Sequence, residues 1–166
     1  MQARLKIDAS EASDGLEAMI HRAQHMGPVM AGIAEGVMRT SVVRNFEVGG
    51  RFDRAGSIRG GTNKWDPVAD NPTPLIRSGT LRDSLHATST EDTATLSASM
   101  EYAAAHNFGL PVGERSNLAQ KKNLKRKEAP ATRKAGGIPA RPFMVMQDAD
   151  IDEASDLIRD HIMGRG

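Results

Sequence analysis

Apolar positions recur along this chain at two periods, and the changes of period mark where elements begin and end. In QARLKID, Leu5 and Ile7 alternate with polar neighbours, which predicts a short strand. The DASEASDG that follows is rich in helix-capping residues, and Leu16, Met19, Ile20 and Ala23 then recur at helical spacing. Gly27-Pro28 ends that helix and opens another, because proline is tolerated in a first helical turn and breaks a later one. The second helix carries Met30, Ile33, Ala34, Val37, Val42 and Phe46 and runs to about Val48, where Gly49-Gly50 stops it. It is the longest helix the pattern predicts.

Periodicity fails from Gly49 to Pro74, a stretch dense in Gly, Pro, Asn and Asp whose one large anchor is Trp65. Compact domains seldom leave more than roughly 12–15 residues without secondary structure, so this extended loop reads as functional or disordered. In PLIRSGTLRDSL, Ser78 or Thr80 caps a short helical turn over Leu81 and Leu85. Strict alternation follows on both sides of Glu91-Asp92, with Leu85, Ala87 and Ser89 opposite Ala94, Leu96, Ala98 and Met100, the signature of a β-hairpin. Tyr102 to Phe108 is one or two helical turns ended by Gly109, and residues 113–136 form a polar, basic and flexible loop. IPARPFMVM is a buried strand or extended segment. Asp148 to Met163 closes the chain as a helix with Ile151, Ala154, Leu157, Ile158 and Ile162 on one face and acidic residues at its dipole-favoured start. These elements predict an α+β fold in one domain, residues 1–166, with a small antiparallel sheet packed against the long helix and the C-terminal helix.

Composition narrows the chemistry. At 166 residues the chain suits one core, and with 4% aromatic residues that core must rest on Leu, Ile, Val, Met and Ala. The lack of cysteine removes disulfides, thiolate catalysis and Cys-based zinc sites, and fits assembly in a reducing cytoplasm. A net charge of +1 gives the whole chain no nucleic-acid or membrane-surface character. There is no signal-peptide-like start and no run of about 18 apolar residues, so a soluble protein without membrane contact is expected.

Motifs for catalysis fail one by one. His21 and His25 have the i, i+4 spacing of a shared metal but no third ligand, and read as surface histidines. No G-x-S-x-G elbow frames any serine, and GGRFDRAGSIRGG lacks the order of a phosphate loop. Asp148, Asp150, Asp152 and Glu153 lack the glycine and distal glutamate of a calcium loop and read as a helix N-terminus. No catalytic residue, metal site or cofactor is indicated, and the chain is not read as an enzyme. The basic loop carries Lys121, Lys122, Lys125, Arg126, Lys127, Arg133 and Lys134 without an interleaved aromatic for base stacking. It is either a solvated loop or an arm that orders on an acidic surface or on DNA phosphates.

FDRAGSIRGGTNKWDP, PLIRSGTLRDSL, YAAAHNFG and IPARPFMV, in this order and followed by an acidic-start terminal helix, resemble the phage virion morphogenesis family. These are the tail-completion proteins of Mu-like and P2-like tailed bacteriophages, and the resemblance runs from about the second helix to the end of the chain. It implies a structural virion protein of the head–tail junction or tail end: a tail completion, terminator or neck ring that joins tail to head. The implied partners are further copies of the chain, in a ring of six, and neighbouring neck or tail-tube proteins. The alternative is a neck protein that contacts packaged DNA through the 121–134 loop. Within the quoted motifs, Tyr102, Phe108 and Phe143 read as core from their apolar bulk, with His106 and Gly109 closing a short helix and Pro139 and Pro142 holding the returning chain extended. Arg141, fixed between two prolines, is placed to pair with a carboxylate of a neighbouring subunit, and Trp65 is the second candidate interface residue.

Overall fold

A computed structural model describes residues 9–54, 57–67, 74–110 and 137–165. The strand predicted around Leu5 and Ile7 and the 113–136 basic loop lie outside the described residues. Helix α1, Ser10–Gln24, buries none of its residues fully and leaves Leu16 and Ile20 exposed. Polar contacts hold its last turn to the end of the chain: Arg22 Nε donates to the Ile162 carbonyl at 2.8 Å. His161 Nε2 also lies 3.1 Å from the His25 carbonyl.

At the Gly27-Pro28 break the chain enters α2, Gly27–Gly32, which continues through a π-helical stretch, Ile33–Arg39, into α3, Thr40–Glu47. The three segments make one rod about 30 Å long, at 1.5 Å of rise per residue. The Glu91 carboxylate, from the hairpin tip, accepts the Gly27 N–H at 2.8 Å and so supplies negative charge at the rod's N-terminus. The π turns have a packing reason. Buried positions recur in steps of four, Ile33, Val37, Ser41 and Asn45 along one row and Ala34, the partly buried Met38, Val42 and Phe46 along the next. In an α-helix such rows drift by about 40° per step, and a turn that takes up an extra residue cancels part of the drift. Gly49 (φ 74°) and Gly50 (φ 101°) then end the rod, with the Gly50 N–H bonded to the Asn45 carbonyl at 2.7 Å.

Short helix α4, Thr80–Asp83, follows Gly79 and buries Leu81; Ser78 Oγ accepts the Thr80 N–H at 3.4 Å. Strands β1, Leu85–Ser89, and β2, Ala94–Ala98, form the predicted antiparallel hairpin with Leu85 opposite Ala98, Ala87 opposite Leu96 and Ser89 opposite Ala94. Leu85 and Leu96 are buried while His86, Thr88, Thr95 and Ser97 are exposed, so one face packs on the rod and the other meets solvent. After α5, Ala103–Phe108, the chain returns at Gly137 and ends in α6, Asp148–Met163. The fold is α+β, as expected. One detail differs: α6 buries no residue fully, and Ile151 and Leu157 on its apolar face remain exposed although the helix packs on α1 and the rod.

The core joins Val42, Phe46, Trp65, Leu81, Leu85, Leu96, Ala103 and Phe143. Trp65 is therefore internal, not the interface residue expected from its place in a polar loop. Its ring meets Phe46 edge-on at 5.8 Å between centroids, and its Nε1 donates to the Pro142 carbonyl at 3.1 Å. Gly50 makes room for it, since a Cβ there would lie 2.8 Å from the indole. The loop beyond is pinned by bridges from Phe52 to Gly60 and Asn63, and from Arg59 to Met146.

Residues 142–145 pass through this core without joining a sheet, so their backbone polar groups need partners from side chains. Asn45, fully buried on the rod, supplies two: its Nδ2 donates to the Phe143 and Val145 carbonyls, both at 2.8 Å. Asn107 Oδ1 accepts the Phe143 and Met144 N–H groups, both at 3.0 Å. Arg51 completes the network by donating from Nε to Asn45 Oδ1 at 2.9 Å and from Nη2 to the Ser41 carbonyl at 2.9 Å. Asp150, which accepts the Gln147 N–H at 2.7 Å and the Ser41 hydroxyl, links the network to the first turn of α6.

Candidate functional site

Helix α5 is six residues long and can bury only one stripe, which it gives to Ala103 and Asn107, four residues apart. Asn107 must face inward to hold residues 143 and 144, so Phe108, about 100° further round, turns outward and is 63% exposed. Tyr102, ahead of the first turn, is 38% exposed. Neither belongs to the core that their bulk suggested; Phe143 does, at 1% exposure.

Gly109 (φ 79°) ends α5, and the chain that returns at Gly137 pairs with it: the Leu110 N–H donates to the Ile138 carbonyl at 2.8 Å and the Arg141 N–H to the His106 carbonyl at 2.7 Å. A side chain at Gly109 would come within 2.9 Å of the Ala140 nitrogen, so the close approach requires glycine. This pairing sets Arg141 beside His106, with Pro139 exposed before it and Pro142 buried after it. Arg141 and His106 line a recess of about 620 Å³ together with Arg77, Ser78, Leu81, Tyr102 and Ile138. Leu75, also on its wall, has φ 71°, a left-handed conformation that non-glycine residues seldom adopt.

The electrostatics of the recess are one-sided. Among the described residues, His106 Nδ1 and Arg141 Nε are buried without a hydrogen-bond partner, and no carboxylate lines the recess. Burial, and secondarily the Arg141 charge, lower the His106 pKa from its ordinary value, so the imidazole is neutral at pH 7. Because the folded-state pKa is depressed, the unfolded chain takes up this proton first. Stability from His106 is thus fully present above about pH 6.5 and is lost as pH falls from there through the folded pKa. Urea midpoints measured from pH 8 to pH 4 should therefore fall less steeply in His106→Gln than in the wild type; parallel curves would show that His106 contributes nothing to the acid limb.

Elsewhere, His21 and His25 stack at 4.3 Å between ring centroids, and His25 Nδ1 lies 2.7 Å from the His21 carbonyl. Among the described residues no group of three His, Asp or Glu side chains is placed to hold a metal ion. Lys121, Lys122, Lys125, Arg126, Lys127, Arg133 and Lys134 lie outside the described residues. Sequence reasoning missed Asn45 and Asn107. The available signal was Asn45 itself, an amide on the helical row beside Val42 and Phe46, where a polar residue must find a buried partner.

The sequence profile of the phage virion morphogenesis family matches residues 7–163, and the chain belongs to that family, which gives it a structural or assembly role in phage particles. It is 29% identical over 155 residues to "Mu-like prophage FluMu G protein 2" of Haemophilus influenzae, a match covering 93% of this chain and 91% of the relative. No solved structure matches the chain. No described helix is long and apolar enough to cross a membrane.

Proposed function

We propose that this protein is a virion component of the head–tail junction or tail end, a tail-completion, terminator or neck protein that joins tail to head as a homo-oligomeric ring of six copies. The observation that carries the reading is the family match, which spans nearly the whole chain. A head-to-tail contact between unlike patches of one chain closes into a ring when its rotation permits, and the Arg141 and His106 nitrogens, without partners among the described residues, supply one such patch. Ring formation on a template, the end of a tail tube or a connector, fits the same contacts.

Quantitative mass spectrometry of purified particles tests the proposal. The expected result is a copy number of six or a small multiple of it per particle, with unjoined heads and tails when the protein is missing. A single copy per particle, or absence from particles, would end the structural reading. The basic residues between Lys121 and Lys134 favour a second reading, contact with packaged DNA. Under it, binding of the purified protein to duplex DNA should weaken steeply with salt.

A further inference from the structure

We propose that His21 and His25 form a binding site for a divalent transition-metal ion of the zinc class, a two-imidazole clip on the last turn and cap of α1. The site goes beyond the ring reading above and is independent of it, since neither histidine lines the Arg141 recess.

Helical spacing brings the rings together, because side chains four residues apart lie on one face, one turn above the other. Their centroids are 4.3 Å apart and their planes differ by 21°. Such a pair also needs a lone pair on each ring, and for His25 the backbone decides where it is. His25 Nδ1 lies 2.7 Å from the His21 carbonyl oxygen. A carbonyl can only accept, so Nδ1 carries the hydrogen and, in the neutral ring, Nε2 carries the lone pair. An imidazole that donates one N–H to a backbone carbonyl and keeps its other nitrogen free has the arrangement of a metal-ligating histidine, whose tautomer and ring orientation are set in this way. His25 is held from the other side as well: His161 Nε2 lies 3.1 Å from its carbonyl oxygen and 3.2 Å from that of Arg22. By the same rule His161 Nε2 carries its ring's hydrogen, and α6 thereby anchors the residue that caps α1.

Two metal–nitrogen bonds of about 2.0–2.1 Å hold their nitrogens roughly 3 Å apart. The rings reach that separation by a small turn of His21, whose ring makes no hydrogen bond among the described residues. Both histidines are exposed, so water fills the remaining positions around the ion and no third protein ligand is required. Imidazole pairs select zinc, nickel and copper over magnesium and calcium, which take oxygen ligands. Nearby charges oppose one another. Glu17 precedes His21 by one turn on the same row and forms no ion pair among the described residues, while Arg22 is turned to the Ile162 carbonyl. Helix α1 buries none of its residues fully and is held at this end by the Arg22 and His161 hydrogen bonds, so an ion that ties its cap to the preceding turn braces the joint with α6.

Titration of the full chain, prepared without a polyhistidine tag, with Zn²⁺ tests the site. Imidazole nitrogen resonances should shift for His21 and His25 and stay in place for His86 and His106, with one ion bound per chain. His21→Ala and His25→Ala should each weaken Zn²⁺ binding about tenfold or more, whereas His86→Ala should leave it unchanged. Amide exchange in the last turn of α1 should slow with Zn²⁺ in the wild type and in neither of the two weakened variants. Melting near the wild-type temperature without metal shows that the variants are folded; where one is not, His21→Gln or His25→Gln takes its place. Unchanged Zn²⁺ affinity in both single variants overturns the site, as does a titration that moves neither ring or that moves His86 equally. Bound Zn²⁺ with unchanged amide exchange overturns its bracing of α1.

Discussion

Asn45→Leu is expected to destabilise the protein by about 3 kcal/mol or more, with the urea midpoint shifted and the slope of the transition unchanged. Leucine has nearly the shape of asparagine, so little of the effect is cavity. The loss is chemical: the Phe143 and Val145 carbonyls each lose a donor, and Arg51 Nε loses its acceptor, all inside the molecule. A buried polar group left unsatisfied costs roughly 1–3 kcal/mol, and three are created at once. Asn45→Asp separates the two halves of the interaction, because it keeps the acceptor for Arg51 while turning a second oxygen toward two carbonyls. It should also destabilise, and Arg51→Ala combined with Asn45→Leu should be less than additive. An Asn45→Leu protein within about 1 kcal/mol of wild type would mean that water reaches these carbonyls and that the amide is not what fixes residues 142–146.

Phe143→Ala should lower stability by roughly 3–5 kcal/mol, because removal of a buried aromatic both loses transfer energy and leaves a cavity. Phe143 is 1% exposed and packs against Phe46 at 5.2 Å between ring centroids, in the cluster that also holds Trp65 and Leu85. Its neighbour two positions back offers a control. Arg141→Ala removes a side chain whose Nε has no hydrogen bond among the described residues, so the monomer should melt near the wild-type temperature. The pair of melting curves distinguishes core from contact surface within three residues of sequence. Equal losses in both variants would make Arg141 an internal strut.

The elements that depend on local periodicity were legible. The hairpin register could be read from alternation because a slip of one residue would turn Leu85 and Leu96 to solvent, and the structure has that register. The helix break at Gly27-Pro28, the stop at Gly49-Gly50 and the closing helix from Asp148 were legible for similar reasons, each being set by chemistry within a few residues. Trp65, Tyr102 and Phe108 were misplaced because bulk and neighbourhood do not say which way a side chain turns. Trp65 lies in a polar loop yet inserts beside Gly50, while Phe108 lies in an apolar helix yet turns out because Asn107 has the inward position. The recess was half legible. Two prolines around an arginine marked Arg141, but its meeting with His106 depends on a return of the chain after Gly109 that no local pattern encodes.

The dependence of the rod on residues 142–146 has a consequence for synthesis. Asn45 and the Phe143 carbonyl it holds are 98 positions apart, so a ribosome that has just released the rod has not yet made its partner. At about 5–20 residues per second, the interval is on the order of 5–20 s. Through that time the Asn45 amide is bonded to water and Phe46 lacks the Phe143 ring that packs against it. Neighbouring nascent chains translated from one message leave the same ring short of cover together, and any association among them at that stage precedes the closing of the core. Completion of the chain, rather than formation of its longest helix, is the step that makes the molecule safe from its own copies and ready for an ordered contact with them.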